Sequence, residues 1–173
     1  MLNLTRGPHD PEPAAAMYSV IAHLRRLAGD REGAEAALKA ASRAGAPPRN
    51  FVGGLAIVTR SALLRERGQP HMAASEIEQA TDHIGFHGST DIAMRVVEEL
   101  AAVAVSFERH EDAANLMATA SEARERNHMP VSPACRSEVD ALQTIVGALH
   151  ATKLSLSDAT ALAHSFVGKM ARK

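Results

Sequence analysis

The sequence predicts an all-α chain, an α-solenoid of about eight antiparallel helices paired into hairpins. Three observations carry this expectation. Apolar residues make up 46% of the 173 residues but aromatics only 3%, so the apolar content is Ala, Leu, Val, Ile and Met, which pack helices closely. Those residues recur at three-and-four spacing in segments cut by Gly and Pro turns. The segments then repeat in pairs at a nearly constant interval, the signature of stacked supersecondary units. A single domain is expected over residues 13–173, after a flexible lead-in over residues 1–12.

The first helix is expected from Pro13 to Ala28, with Met17, Val20, Ile21, Leu24 and Leu27 as its buried stripe. Gly29-Asp30 breaks that pattern, and Ala34, Ala37, Leu38 and Ala41 stripe a second helix that stops before Gly45-Ala46-Pro47-Pro48. Val52, Leu55, Thr59, Ala62 and Leu63 mark the third helix, Arg67-Gly68-Gln69-Pro70 a turn, and Ala73, Ile77 and Ala80 the fourth, closed by Gly85 to Gly88. The third pair has Ile92, Val96, Leu100, Val103 and Phe107, a turn at Glu108 to His110, then Ala113, Met117 and Ala120.

Ala34, Ala73 and Ala113 lie 39 and 40 residues apart. Four residues beyond each stands an apolar residue (Leu38, Ile77, Met117), and seven beyond an Ala (Ala41, Ala80, Ala120), all on one helical face. With the turn Ala28-Gly29-Asp30-Arg31-Glu32-Gly33-Ala34, these offsets make the chain resemble a tetratricopeptide repeat at its inter-helix turn and second helix. The family's small residue in the first helix is matched by Ala22, Ser61 and Ala101; the large apolar residue before it is Ile21 and Leu100, but Arg60 in the middle unit. The units are also longer than the family's usual repeat of about 34 residues.

Pro130-Val131-Ser132-Pro133 reads as a helix start, with Ser132 as N-cap and Pro133 first in a seventh helix that runs to about His150. Ser155 and Asp158 have capping-box spacing and open an eighth, carried on by Ala159, Leu162, His164 to Phe166 and Met170. Ala113 to Ala120 before Arg124, the loop with Pro130 and Pro133, Arg136 and Leu154 to Ala159 resemble the end of the helical-repeat region in bacterial regulators and signalling ATPases of the LuxR and AfsR kind. That resemblance implies a C-terminal sensory or scaffolding arm of a larger transcriptional regulator or ATPase.

Function classes can be narrowed from the residues. A formal net charge of -1 gives no overall attraction for phosphate backbones or anionic membranes. The sole cysteine, Cys135, rules out an internal disulfide and a cysteine-built zinc cluster, and suits a reducing cytoplasm. No signal peptide and no apolar run of about 18 residues is present. Phosphate-cradling glycine motifs and the nucleophile elbow are missing, so neither an enzyme nor a cofactor is expected.

The remaining chemistry-bearing residues read blandly. His83 and His87 are four apart, but Gly85 and Gly88 interrupt the helix, and no metal site is expected. His71, His110 and His128 fall at turns, where solvated imidazoles are ordinary. Cys135, near a helix N-terminus and beside Arg136, could have a lowered thiol pKa, but without a base in view it reads as structural. Asp91, Glu98 and Glu99 read as a solvated helix face, not as a catalytic carboxylate pair.

If the array curves as tetratricopeptide repeats do, the first helices line a concave face. The resemblance then implies Ser19, His23 and Arg26, then Val58, Ala62 and Arg65, then Arg95 and Glu98 as its partner-binding residues. Arg26, Arg65 and Arg95 suit an acidic peptide or partner helix; they would serve equally as solubilising charge. Two other partners follow from the sequence. Residues 132–173 could form a helix-turn-helix-like DNA-binding pair ending in Lys169 to Lys173, though Asp158-Ala159-Thr160-Ala161 is poor material for reading bases. Uncapped solenoid ends could pair with a second copy.

Overall fold

The computed structural model describes residues 11–45, 51–84, 90–147, 149, 151–155, 158, 159, 161, 162, 164 and 165, with side chains given over 13–45, 53–80 and from 91 on within that set. The described residues are all-α and contain no strand. Seven helices run in order: Pro11–Leu27 (α1), Arg31–Arg43 (α2), Phe51–Glu66 (α3), Pro70–Ile84 (α4), Thr90–Ser106 (α5), His110–Arg126 (α6) and Arg136–Val146 (α7), the last entered through a 3-10 turn, Pro133–Cys135. α1 begins inside the segment expected as a lead-in, and Pro70 opens α4 instead of belonging to the turn before it, because a proline at the first helical position has no amide to satisfy.

The turns inside the hairpins are built alike. Gly29 and Gly68 take positive φ (+82 and +72), and Glu108 takes the same left-handed conformation without being glycine, at φ 58. In each, the amide of the following residue donates five residues back: Asp30 to Arg25 at 2.9 Å, Gln69 to Leu64 at 3.0 Å, Arg109 to Ala104 at 3.0 Å. That bond is the six-to-one closure of a helix C-terminus, and it satisfies carbonyls the helix leaves open. The same residue then starts the second helix: Asp30 accepts from the Gly33 amide at 2.9 Å and caps α2. The α6 end repeats the device with His128 at φ 53 and Met129 donating to Arg124 at 2.9 Å.

Each first helix packs on its own second helix, α1 on α3, α3 on α5, and α2 and α4 lean on α3 and α5 respectively. The repeat positions are the contact points. Ala34, Ala73, Ala113, Ala22, Ser61, Ala101 and Ala80 are fully buried, and Leu38, Ala41, Ile77, Met117 and Ala120 nearly so. Small side chains there let the helices approach closely. At Gly54 the approach leaves no room for a side chain, since a Cβ would sit 2.8 Å from Ile92 Cγ1 across α3 and α5.

One helix faces the wrong way for its expected stripe. Met17, Val20 and Leu24 of α1 are 53%, 41% and 51% exposed, while Ala15, Ser19, Ala22, His23 and Arg26 are buried. Apolar periodicity picked the outer face because the inner face of α1 carries Ser19, His23 and Arg26, whose partners lie within α1 itself, on α3, and on the segment 112 residues further along the chain.

Toward the C-terminus, Ser132 stands at the expected cap position but its side chain makes no cap bond; Pro133 opens the 3-10 turn instead of the helix, and α7 starts at Arg136 and ends at Val146, short of His150. Ser155 and Asp158 form a reciprocal box: the Asp158 amide donates to Ser155 Oγ at 3.1 Å and the Ser155 amide to Asp158 Oδ2 at 3.3 Å. Asp158, Ala159, Ala161, Leu162, His164 and Ser165 are helical; most of the expected eighth helix, including Phe166 and Met170, lies outside the described residues.

Candidate functional site

The residues expected to line a concave face are brought together, and they are covered. Ser19, His23, Arg26, Val58, Arg95 and Glu98 are all buried, Ala62 is too, and Arg65 is half-buried. What covers this face is the chain's own C-terminal part, with the 3-10 turn against α1 and α7 against α5 and α6.

A ladder of ion pairs joins the two. Arg26, on the last turn of α1, donates from Nη1 and Nη2 to the Glu138 carboxylate of α7 at 2.6 and 2.8 Å, and from Nη1 to Glu66 at 2.7 Å. Arg95 of α5 reaches the same Glu138 at 3.5 Å and donates to Glu98 at 2.9 Å. Glu98 in turn accepts from Arg124 Nε of α6 at 2.7 Å, and Arg124 Nη1 donates to Asp91 at 3.1 Å. Arg65 donates to both oxygens of Glu99 at 3.2 and 3.3 Å, where Ser61 also donates at 3.0 Å. Burial raises the Glu138 carboxyl pKa, but hydrogen bonds and charge from Arg26 outweigh it and hold the group below its ordinary value of 4.5.

Arg26 and Arg124 are likewise held protonated: burial opposes their charge, and Glu138 and Glu98, respectively, more than offset it. Arg26 Nε, Arg95 Nε and Arg124 Nη2 are buried with no hydrogen-bond partner, so the ladder leaves donor capacity unused.

Sequence reasoning missed three participants. Glu66 and Glu138 stand 40 and 112 residues from Arg26, and no local spacing ties either to it. The third is the pairing of Cys135 with His23, whose Nε2 lies 3.5 Å from Sγ while Nδ1 lies 3.3 Å from Thr59 Oγ1. A thiol beside an imidazole is the beginning of a nucleophile, but both groups are shifted against that use. Burial pushes the thiol up from its ordinary 9.0, and burial, then Arg95 and Arg26, pull the imidazole down from 6.5 to about 4. The pair is a neutral buried contact beneath the 3-10 turn.

α7 does not fill the face it covers. A cleft of about 560 Å³ lined by Glu98, Met117, Arg124, Met129, Val139 and Gln143 lies between α6 and α7. A second, of about 250 Å³, is lined by Arg65, Arg95, Glu99, Ala102, Leu142 and Ile145. Of the α7 side chains only Val139 and Val146 are buried.

The other expected sites come out separately. His71 stacks edge-on with Phe107 at 5.0 Å, and His110 and His128 are exposed. The side chains of His83 and His87, and the basic tail Lys169 to Lys173, lie outside the described residues. No helix among the described residues is long and apolar enough to cross a membrane. No protein-family model, curated protein or solved structure matches the chain.

Proposed function

We propose that the chain is an interaction or regulatory module, a solenoid of tetratricopeptide-like hairpins that docks an acidic helical segment of a protein partner and performs no chemistry of its own. The observation that carries this reading is the row of four arginines, Arg26, Arg65, Arg95 and Arg124, on one face, each already paired with carboxylates and one of them gripping a carboxylate offered by a helix laid across that face. A planar guanidinium that can take both oxygens of a carboxylate selects for such a helix. A working place in a reducing cytoplasm, beside nucleotide- or DNA-binding domains of a larger regulator, belongs to the same proposal and rests on the lone cysteine and the sequence resemblance.

Fluorescence anisotropy with a labelled acidic amphipathic peptide tests it, with a charge-reversed peptide and duplex DNA as controls. The acidic peptide is expected to bind, the basic one not, and Arg65→Ala to weaken binding about tenfold. Binding to DNA with a steep salt dependence, and none to the acidic peptide, would replace this reading with a nucleic-acid one.

A further inference from the structure

We infer that α7 is an internal stand-in for the partner, and that a partner helix takes its place on the arginine face. The inference rests on the docking function proposed above. It defines the partner's chemistry: an amphipathic helix with apolar residues at the spacing of Cys135, Val139, Leu142 and Val146, and a glutamate at the position of Glu138.

Four features of the seat support this. α7 is amphipathic: Cys135 of the turn before it and Val139, Leu142 and Val146 follow one another four, three and four apart and meet the face as one narrow stripe, while Ala141 and Ile145 lie exposed beside it. Its polar hold is concentrated in one side chain, Glu138, which satisfies Arg26 through two oxygens and also reaches Arg95. The clefts of about 560 and 250 Å³ show a face wider than the helix lying on it. The segments on either side of α7 are tied to α6 independently of it. Before it, the Met129 amide closes on Arg124 at 2.9 Å; after it, the Thr152 amide donates to Asn115 Oδ1 at 2.7 Å and the Leu154 amide to Thr119 Oγ1 at 3.0 Å. α7 therefore leaves as an arch between two fixed feet while the three hairpins keep their contacts.

Charge complementarity selects the occupant. With α7 lifted, Glu138 leaves Arg26 and Arg95; these keep Glu66 and Glu98, but Arg26 loses its one two-oxygen carboxylate contact and the two arginines lose the carboxylate they share. A helix that supplies a carboxylate at the same place restores the balance; an apolar or basic one does not. A tethered competitor acts at an effective concentration in the millimolar range, so the free chain prefers α7, and an occupant must either bind better than α7 does or, for a peptide copy of α7, be supplied above that concentration.

The sole cysteine reports the exchange. Cys135 is buried under the 3-10 turn against His23, and lifting α7 exposes it to a thiol reagent. The experiment uses the full chain and a synthetic peptide of residues 132–149 carrying Cys135→Ser, alongside the same peptide with Glu138→Gln. The first peptide is expected to bind and to speed Cys135 labelling about tenfold at saturation, and the Glu138→Gln peptide to do neither at that concentration. A full-chain Glu138→Gln variant, its helix content checked by circular dichroism, is expected to label faster without any peptide.

Binding without faster labelling would overturn the exchange and leave the docking function standing. Binding to the Glu138→Gln chain but not the native one would show that α7 is a permanent cover, and also overturns the exchange. Failure of both chains to bind the peptide removes the docking function itself. Labelling that speeds up with the chain's own concentration, together with a dimer on size-exclusion chromatography, would make a second copy the occupant and overturn the assignment to a separate partner.

Discussion

His23 shows how one side chain ties stability to pH. It is buried between Thr59 and Cys135, faced by Arg95 and Arg26 and, on the other sign, by Glu138 and Asp91. Its pKa falls from 6.5 to about 4 on folding, so the folded chain refuses a proton the unfolded chain accepts. The sign follows: stability is complete above pH 6.5, declines as the pH drops from 6.5 toward 4, and is flat with respect to this group below that. The total loss is about 3 kcal/mol. Glu138, held below 4.5, adds a loss in the same direction at still lower pH. Thermal unfolding followed from pH 7 to 4 is expected to show the decline, and His23→Gln to flatten it; an unchanged slope in the variant would mean another group is responsible. Glu108 offers a second check. It holds the left-handed turn conformation that Gly29 and Gly68 hold without cost, so Glu108→Gly is expected to raise stability by about 1 kcal/mol, read as a higher denaturant midpoint.

At the scale of elements, the packing of α3 against α5 is set by how small the contact residues are. Gly54 lies in the middle of a helix, where alanine would ordinarily gain about 1 kcal/mol in propensity. Here the added Cβ meets Ile92 Cγ1, an atom near the root of a fully buried side chain that has little room to yield. Overpacking costs about 1 to 3 kcal/mol, so Gly54→Ala is expected to destabilise by about 1 kcal/mol net, against its propensity. A higher melting temperature for the variant would contradict this close approach. The hairpins themselves were legible, because Ala34, Ala73 and Ala113 and their companions sit where small size matters and local spacing reveals it. The stripe of α1 was misread for a physical reason: Ser19, His23 and Arg26 are buried through hydrogen bonds and ion pairs, which periodicity of apolar residues does not register.

Across the whole molecule stability is uneven. α3 and α5 are buried on nearly every side, while α7 keeps two buried side chains and clefts along its length. Native-state hydrogen exchange is expected to find α7 amides opening well before those of α3 and α5, through local openings that leave the hairpins intact. Equal protection across all seven helices would make α7 part of one cooperative core. Arg26 links the two regimes, since it joins the first hairpin to α7. Arg26→Ala leaves Glu138 only Arg95 and Glu66 only the exposed Arg31, and is expected to cost about 2 kcal/mol, seen in urea unfolding.

The helices, their pairing and the spacing of the repeated positions were legible in the residues alone, because these depend on turn residues, caps and spacings within about forty residues; so was the placing of Arg26, Arg65 and Arg95 on the first helices. That α7 covers the arginine face, that Glu138 and Glu66 are the carboxylates Arg26 holds, and that Cys135 meets His23 emerges from the packed molecule alone. Those contacts join residues up to 112 positions apart, and which charges meet at such range is fixed by how the hairpins stack, a property that no local pattern encodes.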